Sequence, residues 1–187
     1  MLFRSLGGGS SDAATTLMAL NALWECGLSR RQLLDLAVKI GADVPVFVFG
    51  QNAFAEGIGE ALQVLTLPPA WYVVLCPPVM VPTAAVFTHP ALKRDSKSVT
   101  IQGFSAGVAE LRNDLQPVVV QAYSEVARHL DWLAQFGPAM MTGSGACVFV
   151  PVADEAAARR VVGQMPADMR GFVARGLDRH PLHDLLD

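Results

Sequence analysis

Three short stretches of the chain carry residue types suited to a phosphorylated ligand. The first is "LGGGSSDAA", which begins with Leu6, Gly7, Gly8, Gly9, Ser10, Ser11, Asp12 and Ala13. Glycines let a backbone wrap an anion and present several N–H groups to it. A helix starting directly behind them adds about four unpaired N–H groups and the positive end of its dipole. Ser10 and Ser11 supply hydroxyls for phosphate oxygens, and Ser11 could also meet a magnesium ion. No Lys follows the glycines, so this is not a Walker A loop, and it is not GxGxxG. The alternative is a flexible linker ending in a Ser or Asp cap. Asp12, expected in the first turn, suits the dipole but repels phosphate unless magnesium lies between them.

The second stretch, "GADVPVF", sets Asp43 between a helix end and an apolar run. It reads either as an N-cap followed by Pro in the first turn, or as a carboxylate placed to accept a proton from a substrate hydroxyl. The third, "TGSGACVF", puts Gly143, Ser144 and Gly145 ahead of an apolar run. That is a hairpin turn or a second glycine turn approached by ligand. Asn113 and Asp114 in "ELRNDL" start a helix or touch a ligand.

The elements that must position these residues are partly legible. Ala13, Leu17, Leu20 and Trp24 fall on one face of a helix. Ser29 caps a second helix over 30–40, which Gly41 ends. "NAFAEGIGEALQVL" alternates around Gly57 and Gly59 as a hairpin. "LPPA" marks a boundary near residues 68–70. Beyond it "WYVVLCPP" reads as a buried strand, "PTAAVF" starts a short helix, and 94–107 reads as a loop. A long amphipathic helix is expected over 114–136. A strand, a glycine turn and a strand come next, then a helix capped by Asp154 and running to about Met165, then "GFVARGL" as a last strand. That order is close to a split βαβ, ferredoxin-like sandwich.

Composition narrows the function. The 187 residues carry a formal charge of −3 and no basic stripe, which argues against nucleic acid as a partner. No apolar run approaches the ~20 residues of a membrane span, and "MLFRSL" is too short for a signal peptide. Cys26, Cys76 and Cys147 are far apart and form no CxxC, so neither a zinc site nor a disulfide framework is expected. A reducing cytoplasm fits. His180 and His183, separated by Pro181, make a poor metal site. The pattern carries no signal for oligomeric state.

Taken together and in order, "LGGGSSDAA", "GADVPVF", "AEGIGE", "NDL" and "TGSGACVF" resemble the GHMP small-molecule kinases. The resemblance runs from Leu6 to Leu186. It implies an α+β, two-domain fold. Residues 1–69 would be the later part of a ribosomal-protein-S5-like, ATP-binding N-terminal domain, and 70–187 a ferredoxin-like C-terminal domain. It implies transfer of the γ-phosphoryl group of ATP, with magnesium, to an alcohol. The subgroup it points to phosphorylates the 2-hydroxyl of a cytidylyl-methylerythritol in non-mevalonate isoprenoid synthesis; homoserine- or mevalonate-type substrates are the alternative. Residues 6–13 would cradle ATP phosphates, Asp43 would be the catalytic base, and Thr83 with Gly143, Ser144 and Gly145 would lie near the substrate. In the family a long N-terminal portion with a catalytic Lys precedes the glycines, where this sequence has "MLFR" with Arg4 as the nearby cation. The chain is therefore expected to match the C-terminal two-thirds of a kinase and to show no appreciable turnover alone, or else to be a non-catalytic remnant.

Overall fold

A computed structural model gives the fold and describes residues 6–57, 59, 61–96, 100–105 and 112–181. Arg4, Ile58, Glu60, Leu111 and His183 lie outside the described residues. The chain divides into two compact units, Met1–Pro69 with Leu177–Asp187, and Ala70–Gly176.

In the first unit, helix α1 (Gly8–Leu23) begins inside the glycine run rather than behind it. Only Gly7 stands ahead of it in the left-handed conformation, with φ 70°. The buried face of α1 is one position away from the expected stripe: Ala14 and Met18 are buried, while Trp24 is 70% exposed. Ala13 and Leu17 line the edge of the core. The reason is that α1 packs on two neighbours, α2 and α3, and this broadens and turns its contact surface.

Helix α2 (Arg30–Ile40) matches its signals. Ser29 Oγ accepts from the Gln32 amide, and the Gln32 side chain accepts from the Ser29 amide, so two otherwise orphaned donors are satisfied reciprocally. Leu33 and Ala37 are buried. Gly41 ends the helix as expected, in extended backbone at φ 176°. Helix α3 (Val44–Phe49) follows, with Pro45 in its first turn, where the missing N–H costs nothing. Arg30 reaches its far end and donates to the Val48 and Phe49 carbonyls, each at 3.3 Å.

Strands β1 (Ala53–Glu56) and β2 (Ala61–Val64) form the expected antiparallel hairpin, with Ala53 opposite Val64. Residues 177–181 also belong to this unit. The His180 amide donates to the Gly50 carbonyl at 2.8 Å, and the Asn52 amide donates to the Asp178 carbonyl at 3.1 Å. These bonds shift the division expected at 70–187, ending the second unit at Gly176.

The second unit is a four-stranded sheet under helices. Its elements are β3 (Trp71–Leu75), α4 (Thr83–Phe87), α5 (Ile101–Ser105), α6 (Gln116–Ala122), α7 (Ser124–Ala134), β4 (Met140–Met141), β5 (Val148–Val152), α8 (Glu155–Val162) and β6 (Gly171–Arg175). The strand order is β4-β5-β3-β6, every neighbour antiparallel. This is the ferredoxin-like split βαβ order. Val73, Leu75, Val148 and Val150 from the sheet meet Val126 and Leu133 of α7 in its core. Gly171 is required for strand contact, since a Cβ there would stand 2.5 Å from the Val74 carbonyl oxygen.

Three expectations change. The long helix breaks at Tyr123 (φ −130°, ψ 94°) into α6 and α7, after the β-branched run Val118–Val120 has weakened it. Helix α8 stops at Gly163, short of Met165. The stretch read as a loop contains α5, whose start is capped by Thr100 Oγ1 accepting from the Gly103 amide at 3.1 Å.

Candidate functional site

In the first unit the glycines form the opening turn of α1. The first intrahelical bond runs from the Ser11 amide to the Gly7 carbonyl at 2.8 Å, and no side chain caps the helix. The amides of Gly8, Gly9 and Ser10 therefore project from the N-terminus without an intrahelical acceptor. The first turn holds no acidic residue. Asp12, expected there, lies on the following turn and is exposed. Leu6 precedes the turn and Ala13 packs at the core edge. Ser10 and Ser11 are half-buried beside the amides.

Gly7 is fixed by more than its φ. A Cβ on it would stand 3.0 Å from Phe47 Cζ, so the turn is seated against the α3 ring. Phe47 lies one helical turn beyond Asp43, and residues spaced i, i+4 share a face. Asp43 occupies the N-cap position of α3 with helical backbone, but its side chain makes no capping hydrogen bond and is exposed. The N-cap reading holds for position and fails for the side chain. The hairpin supports this corner too: Gly59 (φ 101°) faces the Ala42 carbonyl oxygen so closely that a Cβ would lie 2.3 Å from it. Gly59 of "AEGIGE" therefore has a packing role next to Asp43 that sequence reading did not find.

In the second unit the hairpin reading of "TGSGACVF" is correct, because the turn joins β4 to β5. It is also heavily tied. The Gly145 amide donates to the Thr142 carbonyl and the Thr142 amide to the Cys147 carbonyl, both at 2.9 Å. Thr83 and Ser144, read as substrate-side residues, share a hydroxyl hydrogen bond of 2.8 Å. Gly143 and Gly145 have φ 49° and 86°.

Asn113 does more than start a helix. Its Nδ2 donates to the Met141 carbonyl at 2.8 Å and to the Gly143 carbonyl at 2.7 Å, while its Oδ1 accepts from the Leu115 amide at 2.9 Å. Gln116 Oε1 accepts from the Met141 amide at 2.8 Å. Asn113 and Gln116 thus clamp the entry of the glycine turn. Sequence analysis named Asn113 without this clamp and missed Gln116, because their partners lie some 25–30 residues away. Beside the clamp opens a cavity of about 660 Å³ lined in part by Lys93, Arg112 and Pro138.

Among the described residues no group of three or more His, Cys, Asp or Glu side chains could hold a metal ion. None of the described helices is long and apolar enough to cross a membrane.

Comparison with known proteins gives a consistent result. The model of the GHMP kinases N terminal domain matches residues 3–51, and that of the GHMP kinases C terminal domain matches residues 100–171. The chain is 63% identical to the 4-diphosphocytidyl-2-C-methyl-D-erythritol kinase of Thiobacillus denitrificans over 97% of its own length and 64% of the relative's. To the kinase of the same name from Nitrosospira multiformis it is 59% identical over 97% of its length and 62% of the relative's. A crystal structure of 4-(cytidine 5'-diphospho)-2C-methyl-D-erythritol kinase superposes with a TM-score of 0.74 at 31% identity, covering 90% of this chain and 65% of that one. The chain thus spans somewhat under two thirds of the length of these curated relatives. With a ferredoxin-like unit, relatives that share one name and two matching domain models, the chain belongs to the GHMP kinases.

Proposed function

We propose that this chain carries the phosphate-binding turn and the catalytic base of a kinase that transfers the γ-phosphoryl group of ATP to the 2-hydroxyl of 4-diphosphocytidyl-2-C-methyl-D-erythritol, in the non-mevalonate route to isoprenoids. One observation carries the reading. The uncapped opening turn of α1 rests, through Gly7 and Phe47, on the same short helix whose N-cap position is Asp43. Anion-binding amides and an uncommitted carboxylate are thereby held on one small framework. The shared name of the relatives supplies the substrate.

In this mechanism the amides of Gly8, Gly9 and Ser10 and the hydroxyls of Ser10 and Ser11 hold the ATP phosphates. Donors fixed before the reaction stabilise charge that develops in transfer, at no cost in reorganisation. Magnesium, when bound, neutralises phosphate charge. Ser11 would be this chain's contribution to holding it. Asp43 accepts the proton of the 2-hydroxyl as its oxygen attacks phosphorus. Thr83, Gly143, Ser144 and Gly145 orient the substrate, and Asn113 keeps their turn in shape. The partners are ATP and one small molecule, without nucleic acid or membrane, and we assign the protein to the cytoplasm.

The test is a chimera in which these residues replace the matching segment of the Thiobacillus denitrificans relative. It should release ADP in the presence of ATP, magnesium and the cytidylyl substrate. Asp43→Asn in that chimera should lower kcat by ~10²–10⁴-fold with little change in KM, the range for a lost positioned base. A variant that loses stability and keeps kcat would return Asp43 to a structural cap.

A further inference from the structure

Cys76 and Cys147 lie 71 positions apart in sequence, and their sulfurs stand 3.8 Å apart. Neither is in a disulfide. Cys76 directly follows β3 and Cys147 directly precedes β5. Since Leu75 pairs with Val148, continuing the register by one residue sets the two cysteines opposite each other. The Cys76 amide points away from β5, donating to the Arg170 carbonyl at 2.8 Å, and the Cys147 carbonyl points away from β3, accepting from the Thr142 amide at 2.9 Å. The two therefore form a non-hydrogen-bonded cross-strand pair. Such pairs have Cα atoms ~4.5 Å apart, with side chains at their closest. That separation falls inside the ~4.4–6.8 Å range of disulfides, so side-chain rotation closes the bond and the strands need not move.

We infer that Cys76 and Cys147 form a thiol–disulfide site at the root of the Gly143–Gly145 turn, oxidised by low-molecular-weight disulfides. The chemistry balances in two exchanges. Cys76, the more accessible thiol, attacks one sulfur of oxidised glutathione as its thiolate, forming a mixed disulfide and releasing one glutathione. Cys147 then attacks the Cys76 sulfur, closing the protein disulfide and releasing the second glutathione. Two thiol hydrogens leave the protein and the reagent is reduced. Excess reduced thiol reverses both steps.

Where the bond would form gives it a consequence. The segment from Cys76 leads to Thr83, whose hydroxyl already meets Ser144. A disulfide would add a covalent tie between the same two segments on the other side of the turn. Burial, and then the neighbouring Cys147, push the Cys76 thiol up to about 12. The reactive thiolate is scarce at neutral pH, so oxidation should be slow there and accelerate as pH rises.

The experiment uses the full chain carrying Cys26→Ser, which removes the exposed third thiol. The folded protein is incubated with oxidised glutathione, alkylated, digested without reduction and analysed by mass spectrometry. The expected product has lost two hydrogens, contains a peptide linking residues 76 and 147, and reverts on treatment with excess thiol. Cys147→Ser should instead trap one glutathione on Cys76. A folded protein that accumulates glutathione adducts without the linked peptide would overturn the inference. So would a linked peptide that appears only after denaturation.

Discussion

The glycine turn at the start of α1 and the glycine turn between β4 and β5 share a composition but differ in where their polar groups go. At Gly7–Ser10 no side chain caps the helix, and position comes from packing, with Gly7 pressed on Phe47. At Met141–Cys147 the turn and its entry bond to each other and to Asn113, Gln116 and Thr83. A turn that receives an anion must leave its donors unspent. One that shapes a wall can spend them, gaining rigidity because each satisfied polar group removes a desolvation cost. Substitutions that remove one kind of support and spare the other test this contrast.

The largest effect should come from Asn113→Ala. It deletes two donors and one acceptor at once, and leaving partly buried groups unsatisfied costs about 1–3 kcal/mol. Hydrogen exchange at the Thr142 and Gly145 amides should accelerate, with the first turn of α1 unaffected. A fall in global stability with both amides still protected would make Asn113 merely a helix start.

Gly7→Ala should cost about 1–2 kcal/mol from the left-handed backbone alone, with a further cost for displacing the Phe47 ring. It should weaken nucleotide-induced NMR shifts at Gly8–Ser11 and leave the Thr142–Cys147 amides unchanged. An equal response in both turns would erase the contrast.

The last effect is confined to alkaline pH. The folded Cys76 thiol lies at about 12 against an ordinary 9.0, so the fold favours its neutral form. The stability this provides is complete below pH 9.0 and is lost as pH rises towards about 12. Cys76→Ser should flatten the alkaline fall in Tm over that window, and an unchanged fall would assign it to other groups.

Features written in neighbouring residues are legible in the sequence by itself. The Ser29 cap, the hairpin around Gly57 and Gly59, the Asp154 cap and the succession of strands and helices past Ala70 all follow from signals within a few positions. The glycine run at the start of α1 and Asp43 in "GADVPVF" are visible for the same reason: they are matters of local residue type. Tertiary structure alone decided that α1 starts at Gly8 and buries Ala14 and Met18, because α2 and α3 choose its contact face. It also decided that Asp43 leaves its cap unmade and that Asn113 reaches across to the glycine turn. Cys76 and Cys147 meet only because β3 and β5 pair in one register. Such contacts join residues far apart in the chain, and periodicity and capping signals extend over only a few residues.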